Sequence, residues 1–140
     1  MNFQTAYRIM CGCVNEFYQL RNDARIIDPG KCFRFYDITI GRRAIKHVIE
    51  QRKAEGVSSD DIKRLLFGVL KTISEFEFEI INPNQSDYPK SVIRAKVFSK
   101  WKMGVVIVLD KSDDGGNRQF ITAFYCRPKR VVFMRKKKLQ

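Results

Sequence analysis

After the helix that ends near residue 75, the hydrophobic period of this chain changes from 3.6 to 2. That change restricts the fold to helices first and a sheet afterwards. Before it, Ile62, Leu65, Leu66, Val69, Leu70 and Ile73 recur at spacings of three and four and predict an amphipathic helix. Ser58 or Ser59 supplies its N-cap, and Asp60 and Asp61 complement the helix dipole in the first turn. After it, Glu75 to Ile81 alternates and predicts a half-exposed strand. Residues 91–99 predict a second strand, with Ile93, Ala95 and Val97 on one face and Arg94, Lys96 and Phe98 on the other. Residues 103–109 are almost wholly apolar and predict a central strand covered on both faces. A turn at 113–117, a strand at 119–126 and a last strand at 130–135 complete the pattern. The expected class is α+β, with N-terminal helices packed on one face of a four- to five-stranded antiparallel sheet.

Upstream, Phe3, Tyr7, Met10, Val14 and Phe17 predict a helix over 3–20, and Asn22, Asp23 and Asp28-Pro29-Gly30 predict turns. Residues 32–38 predict one short strand with Phe33 and Tyr36 in or near the core. Gly41 opens a helix over about 42–54 whose stripe is Ala44, Ile45, Val48 and Ile49, and Gly56 stops it. At 140 residues the chain is expected to be one domain. Within it, 1–35 is a lead-in helix and its connection, 36–135 the core and 136–140 a basic tail. No apolar run approaches the roughly 18 residues of a membrane helix, and no signal peptide is visible at the N-terminus, so a cytoplasmic location is expected.

Charge is unevenly distributed. The net charge is +12; residues 1–87 carry 13 basic and 12 acidic side chains, and residues 88–140 carry 14 and 3, a net +11 in the second part. Such a segment repels itself unless an anion offsets it, which points to nucleic acid first and an acidic protein second. A membrane surface is disfavoured because no basic amphipathic helix is legible. Cys11 and Cys13 sit too close for an ordinary disulfide or a usual zinc spacing, so the four cysteines read as free thiols in a reducing compartment. Neither a metal nor a cofactor is expected: there is no P-loop, no G-x-G-x-x-G, and the Glu75, Glu77, Glu79 stripe comes from a single strand.

Several side chains could carry chemistry. His47 is the single histidine and lies on the outward side of its predicted helix beside Lys46, Arg43 and Glu50. An imidazole there could serve as a general base near neutral pH, or be an ordinary surface residue. Arg94 and Lys96 alternate onto one strand face and could hold a phosphate, the arginine as a bidentate fork and the lysine as a point charge; the plainer reading is a solvated sheet face. Thr122 and Tyr125 could orient a phosphate oxygen, or simply be strand formers. Arg127, Lys129 and Arg130, with Arg135 to Lys138, should add salt-sensitive attraction to a polyanion.

The order of these pieces resembles one family. Asp37-Ile38-Thr39-Ile40, then Ala44 to Arg52 with its histidine, then Gly56-Val57-Ser58-Ser59-Asp60-Asp61-Ile62, the basic strand Arg94–Lys96, the apolar strand Val105–Leu109 and Phe120-Ile121-Thr122-Ala123-Phe124-Tyr125 are similar to the barnase/EndoU/colicin/RelE-like RNases. The match spans about residues 36–135. The resemblance implies a metal-independent endoribonuclease toxin that cleaves tRNA or another structured RNA by attack of the ribose 2′-OH on phosphorus. It implies His47, with Lys46, as acid or base, Arg94 and Lys96 on the scissile phosphate, and Thr122 and Tyr125 orienting it. Arg43, Arg52, Arg127, Lys129 and Arg130 would bind substrate. An acidic immunity or antitoxin protein would cover the basic face. The alternatives are a non-catalytic nucleic-acid-binding module and a basic protein that binds or inhibits an acidic partner.

Overall fold

The computed structural model describes residues 24–28, 32–84, 90–110 and 118–138, with side chains over 36–84, 90–110 and 118–136. In chain order these form β1 (Ala24–Asp28), β2 (Cys32–Phe35), β3 (Ile38–Gly41), α1 (Arg42–Ala54), α2 (Ser59–Glu75), β4 (Phe78–Ile81), β5 (Ser91–Phe98), a 3-10 turn (Ser99–Trp101), β6 (Met103–Asp110), β7 (Arg118–Cys126) and α3 (Pro128–Lys138). The class is α+β, as expected.

α1 forms because Ile45, Val48, Ile49 and Arg52 fall on one side at helical spacing, and all four are buried. It closes in a Schellman motif: Gly56 at φ 81 lets its own N–H donate to the Lys53 carbonyl while the Val57 N–H donates to that of Arg52. α2 starts where Ser58 Oγ accepts from the Asp61 N–H at 3.2 Å, and its predicted stripe is buried throughout. It runs through Glu75, so β4 is shorter than the alternation over 75–81 predicts.

Five strands in the order β3-β7-β6-β5-β4 support the helices, and the β1–β2 hairpin extends them to a seven-stranded sheet. β4, β5, β6 and β7 form the expected antiparallel meander. The sheet is nevertheless mixed, because β3 joins β7 in parallel through Ile38 opposite Arg118 and Thr39 opposite Gln119. The strand predicted over 32–38 is two antiparallel strands, turned at Tyr36-Asp37 with Tyr36 at φ 58. Residues 24–28, expected in a turn region, pair with β2 as β1. The predicted helix over 3–20 and the turn at 113–117 lie outside the described residues.

The helices cover both faces, not one. On the first face α1 and α2 pack over Ile38, Ile40, Val92, Val105, Ile107, Leu109, Phe120 and Ala123. On the second, Val131 and Met134 of α3 pack over Phe78, Ile93, Ala95, Val106 and Val108. β6 therefore supplies both cores with alternate residues, as its unbroken apolar run predicts. The strand expected at 130–135 is a helix instead. Pro128 opens α3 at the position where its missing N–H costs nothing, and Val131 and Met134, three apart, turn inward together. Gly104 makes room for it: a Cβ there would lie 2.5 Å from Val131 Cγ2 and 2.9 Å from Cys126 Sγ. Among the described residues, no helix is long and apolar enough to cross a membrane.

Candidate nucleic-acid interface

Strand register decides which cations meet. Phe98 stands opposite Met103, and Gly104 opposite Cys126. The β5–β6 connection and the β7–α3 junction therefore lie at the same end of the sheet. Lys100 and Lys102 come from the first, and Arg127, Lys129 and Arg130 from the second; all five are exposed. Lys102 takes the left-handed conformation, φ 53, that turns the chain from the 3-10 turn into β6. Three carboxylates near this end are paired with other cations. Glu75 pairs with Lys71 at 3.2 Å, Glu77 with Arg135 at 3.9 Å and Asp61 with Arg64 at 3.3 Å. Among the described residues, Lys96, Lys100, Lys102, Arg127, Lys129 and Arg130 make no ion pair.

An aromatic groove of about 320 Å³ opens beside these lysines. Phe98 and Trp101 stack with ring centroids 4.8 Å apart and planes 16° apart, and Phe67 of α2 meets Trp101 edge-on at 6.0 Å. Both are favoured aromatic geometries. Lys96 Nζ lies 5.8 Å from the Phe98 ring and Lys71 Nζ 6.0 Å from the Phe67 ring. Gly68 lets α2 lie close on β6: a Cβ there would crowd Val105 Cγ2 at 3.0 Å, with Trp101 Cζ3 and Phe98 Cε2 in ordinary contact at 3.6 and 3.7 Å. A glycine inside a helix costs about 1 kcal/mol relative to alanine, so close approach is the reason for it here.

The remaining candidates are dispersed. Arg94 is 6% exposed and its guanidinium is already engaged. Nε donates to Glu79 Oε1 at 3.0 Å, Nη2 to Asp37 Oδ2 at 3.0 Å and Nη1 to the Ile73 carbonyl at 3.0 Å, and Cζ lies 4.3 Å from the Phe76 ring centroid. Glu79 also accepts from Arg118. Arg52 is buried too; it donates to the Ala123 carbonyl at 2.9 Å and to Glu55 and Gln51, so it ties α1 to β7. Tyr125 donates to the Asp61 carbonyl at 2.7 Å, and burial, reinforced by the Asp61 carboxylate, pushes its phenol above the usual tyrosine range. Burial likewise raises the half-buried Cys126 thiol.

His47 is half-buried on α1, with Lys46 exposed beside it, 4.0 Å from Glu50, and Arg43 exposed one turn earlier. Thr122 is 3% exposed, and its Oγ1 has no hydrogen-bond partner among the described residues. It stands opposite Val108, so it points to the α3 face, whereas α1 carries His47 over the other face. His47, Arg94 and Thr122 therefore do not converge on one phosphate-sized site. Lys96 shares the α2-side groove with Lys71 and Lys100, whereas Arg127, Lys129 and Arg130 come from the β7–α3 junction at the same sheet end, with Arg130 lining a pocket on the α3 face. Phe67, Lys71, Lys100 and Trp101 were missed by sequence reasoning. The interleaved run Lys96-Val97-Phe98-Ser99-Lys100-Trp101-Lys102 is the signal that could have found the last two.

Compared with known proteins, the chain matches no family model, no curated protein and no solved structure.

Proposed function

We propose that this protein binds RNA through the basic end of its sheet. The observation that carries the reading is the gathering of Lys96, Lys100, Lys102, Arg127, Lys129 and Arg130 at one end of the β5-β6-β7 sheet without carboxylate partners among the described residues. Unpaired cations grouped in this way repel one another. A polyanion relieves that repulsion and releases its own condensed counterions on binding. The aromatic groove beside them adds flat apolar surface of the kind nucleobases use.

Fluorescence anisotropy of an end-labelled RNA tests this directly. From about 50 to 200 mM salt the logarithm of the affinity should fall linearly with that of the salt concentration, by about 0.7 for each phosphate neutralised on a single strand. Absence of binding at low salt, or binding indifferent to salt, would overturn the reading. Total tRNA incubated with the protein in EDTA and run on a denaturing gel tests the nucleolytic extension. Intact RNA is the result binding alone gives. Discrete fragments that disappear with His47→Ala would extend the function to metal-independent cleavage.

A further inference from the structure

We infer that the groove between α2 and the β5–β6 turn is a stacking site for unpaired nucleobases, so that the protein selects single strands over duplex. The inference rests on the RNA-binding reading and adds to it a distinct site with its own ligand chemistry. Phe98 and Trp101 already form a near-parallel pair at 4.8 Å, and both remain half-buried at the mouth of the groove. A nucleobase is flat, apolar on its faces and polar at its edge, and it can extend such a stack without a hydrogen-bond code. A base inside a duplex is already covered on both faces and cannot enter.

The surroundings suit a nucleotide better than an apolar ligand. Lys71, Lys96 and Lys100 line the same groove as the three rings, so a stacked base would bring its flanking phosphates among three ammonium groups. Lys96 and Lys71 sit over ring faces at 5.8 and 6.0 Å, a reach from which each could turn to a phosphate oxygen. Lys71 would then leave Glu75, an exposed partner at 3.2 Å whose hold is weak in water. The platform itself is preorganised. Gly68 lets α2 close on Val105 with Trp101 and Phe98 in contact beside it, and the edge-on Phe67 ring buttresses Trp101. Little ordering of rings is needed when a base arrives.

Trp101 is the chain's one tryptophan, so its fluorescence reports on the groove alone. The experiment titrates the full chain with a single-stranded RNA oligonucleotide, a duplex of equal length and an abasic strand of equal charge. Trp101 emission is read alongside the anisotropy of a label on the nucleic acid. The single strand should quench Trp101, and the duplex and abasic strand should bind through charge with no quenching. Trp101→Ala should weaken single-strand binding by about 5- to 150-fold, the range stacking on one aromatic ring supports, while leaving duplex binding unchanged. Trp101→Phe, which keeps a ring and the local packing, should recover most of that loss and guards against a folding defect in the alanine variant. Anisotropy changes without quenching, or equal quenching by the abasic strand, would overturn the stacking site and leave RNA binding standing. No anisotropy change with any of the three would overturn both. Equal quenching by polyglutamate would reassign the groove to acidic peptide and overturn the proposal.

Discussion

Arg94 and Lys96 stand two residues apart on the same face of β5, and the sheet treats them differently. Arg94, in the middle of the strand, is enclosed by the end of α2, by the Asp37 turn and by Glu79 across the ladder. Lys96, nearer the end, is half-exposed beside the aromatic groove and makes no ion pair among the described residues. The same split holds more widely. Arg52, Arg94 and Arg118 brace the body of the fold, whereas Lys100, Lys102, Arg127, Lys129 and Arg130 face solvent at one end of it. A buried cation needs close matching because its desolvation is costly; every guanidinium nitrogen of Arg94 is engaged, and among the described residues Arg52 leaves only Nε without a partner. A cation at the end of a strand keeps its water and its reach.

Removing one of the buried cations should have the largest effect. Arg94→Ala would leave Glu79 and Asp37 without their shared partner and the Ile73 carbonyl without its donor, and should cost about 3 kcal/mol or more in urea denaturation. Its RNA affinity, measured on the folded fraction, should not change. Reduced affinity in the folded fraction would place Arg94 in the interface and break the comparison. Arg52→Ala should follow at about 2 kcal/mol, through loss of the charged hydrogen bond to Ala123, again with RNA binding intact.

Tyr125→Phe removes one neutral hydrogen bond to Asp61 and should cost about 1 kcal/mol near neutral pH. It also has a pH signature. Burial raises the folded-state pKa of the phenol above its unfolded value. The unfolded chain therefore releases that proton first, and stability falls as pH rises past about 10. In the phenylalanine variant that part of the alkaline fall should be missing. Equal pH curves for the two proteins would mean the phenol is not held as described. The smallest stability change should come from Lys96→Met, within about 0.5 kcal/mol, since its ammonium is engaged only weakly over Phe98. Its effect should appear in the salt slope of RNA binding, which should become shallower by about 0.7.

Which elements were legible in the sequence follows from which forces are local. α1 and α2 carry uninterrupted stripes and their own caps, and the run at β6 announces burial on both sides. α3 was misread because Val131-Val132-Phe133 favours a strand locally. Only the space over Gly104, a contact distant in sequence, shows why Val131 and Met134 must face the same way. The split of β2 from β3 turns on Tyr36 at φ 58, a conformation a glycine or asparagine would have advertised and a tyrosine hides. The parallel β3–β7 pairing is non-local altogether. At the candidate site, alternation placed Arg94 and Lys96 on one face but said nothing of the carboxylates opposite Arg94. Those come from the β2–β3 turn and β4, 57 and 15 residues away. Thr122 and His47 read as partners in sequence order and lie on opposite faces because the sheet passes between them.

In the proposed function the end of the sheet, and not its middle, binds nucleic acid. The most direct measurement reverses three of its cations together, Lys100→Glu, Lys102→Glu and Lys129→Glu, and compares RNA affinity, salt slope and urea midpoint with the parent protein. An affinity loss of at least about 100-fold with a slope shallower by about 2, at an unchanged midpoint, is the predicted result. Unchanged affinity and slope in a folded variant would contradict it.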